Sequence, residues 1–231
     1  MEVHMKALKC FLVLFSFVGL MLIGCSDQSQ SPVSPVDQGS LEKNVIHKFV
    51  VYDNPLPPTG DPMQGVKILP NGNIQFKKKV VNEDIKAYKL DDDGNETSEV
   101  DPFITALMTH FLSTMINGET GNGPVHGSFT SDPVDDAIAG PDAVWIGSYT
   151  GYRSLSVGYD DDNDGKYDRG EWILKLKLEA HGKGGIIHGW QFFTESTLTI
   201  YNYGPIPSMP ILNFPFPQAW SGKGYGFYKE H

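Results

Sequence analysis

Acidic side chains are concentrated between residues 160 and 171, where their spacing suits a metal site. Asp160, Asp162 and Asp164 alternate along the chain, and Asp168 and Glu171 follow. Alternate residues of a tight loop direct their carboxylates towards one point, and calcium takes about 6–8 hard oxygen ligands. The aspartates crowd into residues 160–164 and repel one another unless a cation is present. The spacing therefore favours a calcium site over the alternative, a solvated acidic turn at a hairpin tip.

The same stretch resembles the calcium loop of EF-hand proteins at each ligand position, with Gly165 at the sharp turn. The flanks differ from the family, because residues 154–159 and 172–180 both have the pattern of strands rather than helices. The resemblance thus implies an ion site but not a calcium-sensor switch. It implies six ligand residues: Asp160, Asp162 and Asp164 through their side chains, Lys166 through its carbonyl, Asp168 through water, and Glu171 through both carboxylate oxygens.

The elements that must position this loop have the pattern of strands and turns. The chain has 25 glycines and 16 prolines among short apolar runs. Leu174, Leu176 and Leu178 alternate with charged residues, which indicates a half-buried strand over 172–180. The same analysis predicts strands over 44–52, 73–81, 84–90, 125–130, 145–150, 153–159 and 223–228, and one or two within 185–200. We predict an all-β, mainly antiparallel fold, either a small barrel or a bent sandwich.

Residues 102–116 admit two interpretations. Apolar residues recur at helical spacing after Asp101-Pro102, which suits a helix N-terminus. The opposite face carries threonines and no charge, whereas a water-facing helix stripe usually carries charges and threonine favours strands. The turn-rich 117–123 segment that follows suits a β-hairpin. Both interpretations stay open, with the balance towards a strand.

The N-terminus has the three-part build of a targeting segment. Lys6 and Lys9 precede an apolar run over 11–23, which ends at Gly24-Cys25. Residues 22–25 resemble the lipobox of bacterial lipoproteins. That resemblance implies cleavage before Cys25, a lipid on its sulfur and anchoring in a bacterial cell envelope, without identifying the leaflet. Alternatives are an ordinary secretory signal or an uncleaved anchor.

Composition divides the rest of the chain in two. Residues 25–43 are rich in Ser, Gln, Pro and Asp and have no apolar periodicity, so they form a flexible tether after the 1–24 signal peptide. Residues 44–231 suffice for a single β-rich domain. A formal net charge of −10 argues against nucleic acid as a partner.

No sequence motif for catalysis is present, and we predict no catalytic residue. A Gly-x-Ser-x-Gly elbow, a phosphate loop and a dinucleotide fingerprint are all absent. His126 and His188 lie in two similar apolar-His-Gly segments and could face each other, although packing roles are commoner for single histidines. Paired carboxylates for glycoside chemistry stay open. The tryptophans could stack on sugars or fill the core; they are Trp145, Trp172, Trp190 and Trp220.

Together these patterns predict a membrane-anchored, exported lipoprotein whose calcium-stabilised β domain is a binding or structural module. The alternatives are a hydrolase of envelope or extracellular polysaccharide and a lipocalin-like carrier of an apolar ligand. A carrier requires a sizeable apolar pocket, and an enzyme requires a cleft with convergent carboxylates or histidines. A binding module requires an exposed aromatic patch or no pocket at all. The proline-rich segment 204–217 covers a sheet edge or a barrel mouth, or presents a strip to a partner.

Overall fold

A computed structural model describes residues 45–56, 64–165, 167, 169–201 and 220–231. These residues belong to one compact unit, Glu42–His231. Several sequence predictions concern residues outside the described ones: the signal peptide, Cys25, the tether, the segment 204–217 and the loop residues Lys166 and Asp168. The described elements are β1 (Ile46–Pro55), β2 (Val66–Ile68), β3 (Ile74–Leu90), β4 (Glu96–Val100), β5 (Ala106–Ile116), β6 (Gly123–Pro133), α1 (Asp136–Ala139), β7 (Val144–Tyr159), β8 (Arg169–Lys183), β9 (Gln191–Tyr201) and β10 (Trp220–Lys229).

The strands form one antiparallel sheet that closes on itself. Its order is β1-β10-β9-β8-β7-β6-β5-β3, and β1 also pairs with β3, so these strands complete a ring. The short strands β2 and β4 each pair with β3. The all-β prediction is confirmed, and the closed ring makes the fold a barrel rather than a bent sandwich.

The segment 102–116 is a strand over most of its length, since β5 covers Ala106–Ile116 and pairs with β3 and β6. The helical spacing of its apolar residues is incidental. The residues at alternate positions, Met108, His110 and Thr114 among them, are buried inside the barrel. The described helix lies elsewhere, at Asp136–Ala139, where the Asp135 side chain accepts hydrogen bonds from the backbone of Ala137 and Ile138.

Two pairs of predicted strands are single long strands. The predicted strands 73–81 and 84–90 are both part of β3, in which the register shifts between Phe76 and Lys79 and Lys78 has a φ of 52°. The predicted strands 145–150 and 153–159 are both part of β7. In the sequence, the polar residues 82–83 and Gly151 had the pattern of turns between two strands. Asn82 and Glu83 of β3 pair with Thr109 and Met108 of β5, and Gly151 packs closely against the β8 backbone, so both strands continue through these positions.

The barrel interior holds the core. Leu174, Leu176 and Leu178 of β8 point inwards as their alternation predicts, and Phe129, Trp145 and Phe192 pack against one another across the interior. Gly222, Gly224 and Gly226 occupy inward positions of β10 and leave room for side chains from β1 and β9. Among the described residues, no helix has the length and apolar character needed to cross a membrane.

Candidate functional site

The predicted calcium loop connects β7 to β8. One carboxylate oxygen from each of Asp160, Asp162 and Asp164 lies within 4.8 Å of the others. The backbone N–H of Asp164 donates to Asp160 and Asp162, each at 3.1 Å, and the N–H of Gly165 donates to Asp160 at 2.9 Å. Gly165 adopts a φ of +86°, a conformation that favours glycine. The loop thus gathers three hard oxygen donors around one turn, which fits a calcium ion.

The remaining predicted ligand in the described residues is Glu171, which belongs to β8. Its carboxylate accepts a hydrogen bond from the Tyr159 hydroxyl at 3.1 Å, which ties the last residue of β7 to the third residue of β8. Strands flank the loop on both sides, as the sequence predicts.

Asp161 takes a different role from its neighbours. The Arg169 guanidinium donates two hydrogen bonds to its carboxylate, at 2.8 and 3.0 Å, and lies 4.3 Å from the centre of the Tyr159 ring. The hydrogen bond with Arg169 lowers the pKa of Asp161. Repulsion within the loop is therefore smaller than the sequence suggests, because Asp161 already has a cationic partner.

A second candidate site is a patch on the outside of the barrel, across β9, β10, β1 and β3. The Phe193 and Phe227 rings stack with their centres 5.2 Å apart, and Lys229 lies over both. We name this patch the aromatic–lysine face, and it consists of Tyr52, Tyr88, Phe193, Lys223, Tyr225, Phe227 and Lys229.

Register explains why these side chains meet. Phe227 pairs with Phe193, and Lys223 pairs with Tyr52, so their side chains leave the sheet on the same outer side. The Lys223 ammonium lies 5.3 Å from the ring centre of Tyr52 and 5.2 Å from that of Tyr225. Tyr225 is 53% exposed. The face thus presents ring surfaces and two lysines to solvent, and the Glu96 carboxylate accepts a hydrogen bond from the Tyr52 hydroxyl at 2.7 Å.

The third candidate site is a group of ionisable residues inside the barrel, which we name the lumen cluster: Asp53, Glu83 and His110. All three are buried. The Nε2 atom of His110 lies 3.0 Å from the Oε2 atom of Glu83, and the His110 ring packs edge-on against the Tyr149 ring. Asp53 pairs with Ile85 and His110 with Val81, so each is a diagonal neighbour of Glu83 on an adjacent strand.

Mutual charge and burial shift the pKa values of Asp53 and His110. Burial and the charge of Glu83 raise the pKa of Asp53 to about 7, while the charge of His110 acts against them. Burial lowers the pKa of His110, but the charge and hydrogen bond of Glu83 and the charge of Asp53 outweigh it, so the net pKa is raised. Burial, followed by the charge of Glu83, raises the pKa of Tyr149.

A small cavity adjoins the lumen cluster. Its volume is about 20 Å³, and its polar lining comes from Asp53, Ser131, Thr194 and Ser196. The other lining residues are apolar. A volume of this order holds a water-sized group. This cavity is far smaller than the pocket that a carrier of a large apolar ligand requires.

The predicted histidine pair does not come together. His126 is exposed on β6, where it pairs with Thr150, whereas His188 is exposed in the turn that follows Lys183, which pairs with Val144. His181 is exposed on β8, apart from the lumen cluster.

Three of the four tryptophans fill the core, and the side chain of Trp220 lies outside the described residues. Trp145 donates a hydrogen bond to the Phe103 carbonyl at 2.7 Å, and Trp172 donates one to the Thr120 carbonyl at 2.8 Å. Trp190 stacks on Tyr228. They are therefore unsuited to sugar stacking.

The sequence analysis missed both the lumen cluster and the aromatic–lysine face. A signal for the cluster exists in strand alternation: Asp53 shares a face with Phe49 and Val51, and Glu83 shares one with Ile85. An ionisable residue on the apolar face of a strand is unusual and can be found by this test. Comparison with protein-family models, curated proteins and solved structures finds no match to this chain.

Proposed function

We propose that this protein is an exported, lipid-anchored barrel that binds an anionic polysaccharide of a bacterial envelope or its surroundings. The observation that carries this proposal is the aromatic–lysine face. The export and the lipid anchor are proposed from the sequence of residues 1–25. A calcium ion held by the β7–β8 loop stabilises one end of the hairpin that β7 and β8 form.

The chemistry of the face matches an acidic sugar polymer. The face of an aromatic ring carries partial negative charge and packs against the C–H bonds on one side of a sugar ring. Lys223 and Lys229 lie against these rings and attract the carboxylates of uronic-acid units. Because the whole chain has a formal net charge of −10, this local positive charge also selects where an anionic polymer docks.

The barrel interior favours this function over the two alternatives. A lipocalin-like carrier needs a large apolar cavity, whereas the cavity near Asp53 is about 20 Å³. A polysaccharide hydrolase needs carboxylates that a polymer can reach, whereas Asp53 and Glu83 are enclosed within the barrel.

Binding of soluble polygalacturonate to the full-length protein in detergent, measured by calorimetry, tests the proposal, with neutral dextran as the comparison polymer. We expect saturable binding of polygalacturonate alone. The double variant Lys223→Ala, Tyr225→Ala should weaken it by about tenfold or more. Tyr152→Ala is the matched control, because Tyr152 is also 53% exposed but lies on β7, away from the face. Equal loss in both variants, or no binding to either polymer, would contradict the proposal.

The proposed export and lipid anchor have a separate test. Mass spectrometry of the protein extracted from membranes should show loss of residues 1–24 and a lipid on Cys25, and Cys25→Ser should release the protein from the membrane fraction. A full-length mass with an unmodified Cys25 would refute the lipid anchor and leave the binding proposal standing.

A further inference from the structure

The carboxyl group of Asp53 faces the interior cavity. Asp53 is 8% exposed and lines the cavity, and Glu83 and His110 are the charged neighbours of its carboxyl. The opposite residue on β10 is Gly222, at which a Cβ atom would lie 2.6 Å from Asp53 Oδ2. A glycine thus leaves the space that this carboxyl occupies. Burying a carboxyl is costly, which makes a buried one beside a cavity a candidate ligand contact.

The groups around Asp53 determine whether the cavity can hold a charged ligand. The ionisable groups facing it are Glu83 from β3 and His110 from β5, with Tyr149 of β7 packed behind His110. The residues that β9 and β10 place beside the cavity and Asp53 carry a hydroxyl or no polar group: Phe192, Thr194, Ser196 and Gly222. The hydrogen bond between Glu83 and His110 pairs opposite charges, so neither is available to balance a charged ligand.

The walls fit an uncharged group with one polar end. Ile85, Met108 and Phe192 are among the apolar residues that line the cavity. Met108 has an unbranched side chain that adapts its shape at low energetic cost, so the cavity can widen for a group larger than water. A protonated carboxyl donates one hydrogen bond to an oxygen acceptor.

We propose that this cavity binds the hydroxyl or carbonyl group of a small uncharged molecule, held by a hydrogen bond from the Asp53 carboxyl. This site is independent of the polysaccharide proposal, since it uses other residues on the opposite face of the same strands.

The raised pKa of Asp53, about 7, gives the site a pH dependence. Below that pH the carboxyl carries the proton that the ligand oxygen accepts. Above it the carboxylate has no proton to donate, so binding weakens. In Asp53→Asn the side-chain amide donates at every pH, and binding becomes independent of pH.

The test uses methanol and acetone as uncharged probes and acetate as a charged one, titrated into the full-length protein labelled with ¹³C on its methionine methyls. The Met108 methyl lines the cavity, and Met115 on the same strand is 43% exposed on the outer side and is the internal control. We expect saturable shifts of Met108 with methanol or acetone, none with acetate, and an affinity that falls about tenfold between about pH 5.5 and pH 8. In Asp53→Asn the affinity should stay constant across that range, and in Asp53→Leu it should be lost. The proposal fails if no uncharged probe shifts Met108, if Met115 shifts equally, or if Asp53→Asn keeps the pH dependence.

Discussion

His110 and Glu83 are hydrogen-bonded inside the barrel at 3.0 Å, and their side chains are 7% and 8% exposed. They come from the neighbouring strands β5 and β3. Two opposite charges at this distance, away from water, stabilise each other more strongly than a surface pair, but only while both partners are present. The stability of the barrel therefore depends on whether His110 and Glu83 are both charged.

Replacing Glu83 by Gln should lower the pKa of His110, because the charge of Glu83 and its hydrogen bond both raise it. At a pH where His110 is charged, we expect the free energy of unfolding to fall by about 3 kcal/mol, the cost of an unpaired buried charge. Titration of the His110 ring by NMR and denaturant unfolding at two pH values measure the two effects.

Glu195→Gln is the matched control for that experiment. Glu195 pairs with Lys177 at 2.8 Å, but both side chains are more than 70% exposed, so the unfolding free energy should hardly change. Equal effects of the two substitutions, or an unchanged His110 pKa in Glu83→Gln, would contradict the assigned role of the buried pair.

The stability of the barrel should decrease as the pH rises from about 5 to 8. The folded-state pKa of Asp53 is about 7, above its unfolded value of 3.8, so between these values the folded state holds a proton that the unfolded state has lost. Stability therefore falls with rising pH until Asp53 ionises in the folded state as well. The raised pKa of His110 acts in the same direction, because its stabilisation is complete below the unfolded pKa and is lost above the folded one.

The variant Asp53→Asn isolates the Asp53 contribution. At about pH 8 it should be more stable than the unmodified protein by a few kcal/mol, at about 1.4 kcal/mol for each pKa unit. At about pH 5 the difference should be smaller, because the pH then lies only about one unit above the unfolded pKa of 3.8 and protonating the folded carboxyl costs less. Chemical unfolding across this range measures the difference, and a constant difference at all pH values would overturn the assignment.

Strand alternation carried most of the fold prediction. Leu174, Leu176 and Leu178 identified β8 correctly, and the threonines of 102–116 correctly favoured a strand. Alternation did not show that β3 and β7 are continuous, because Asn82, Glu83 and Gly151 in their interiors have the pattern of turns. Pairing with neighbouring strands overrides that pattern, since Glu83 pairs with Met108 and Gly151 with Leu176.

The lumen cluster could not be assembled from sequence, since residues 53, 83 and 110 are distant along the chain. Their meeting depends on the pairing of β1 with β3, which also closes the barrel. The predicted calcium loop is one short segment of the chain, and three of its predicted ligands, Asp160, Asp162 and Asp164, do lie together. The spacing of residues in the sequence was informative for a site within one loop. It was uninformative for the lumen cluster, whose residues meet only when the barrel closes.

Gly222→Ala should destabilise the barrel by about 1–3 kcal/mol, because the added methyl would overlap the Asp53 carboxyl and contact Leu198. Adding Asp53→Ala removes the overlapping carboxyl, so the double variant should lose less stability than the sum of the two single variants. Denaturant unfolding of the four proteins gives this coupling. Strict additivity would show that the two residues do not contact each other.

Calcium should stabilise the protein through the β7–β8 loop. Ion binding replaces the repulsion among Asp160, Asp162 and Asp164 by attraction and holds the ends of β7 and β8 together. At about 100 times its dissociation constant, an ion that binds only the folded state adds about 2.7 kcal/mol. Thermal unfolding of the full-length protein should therefore show a midpoint several degrees higher in millimolar calcium than in chelator.

The loop supplies its own control for this experiment. Asp160→Ala removes a predicted ligand and should abolish the calcium response. Asp161→Asn removes a neighbouring charge that pairs with Arg169, and should keep the response. If both variants respond to calcium as the unmodified protein does, the ion binds elsewhere. If both lose the response, net charge of the loop rather than a defined ligand set governs binding, because Asp161 contributes charge to the loop but is held by Arg169.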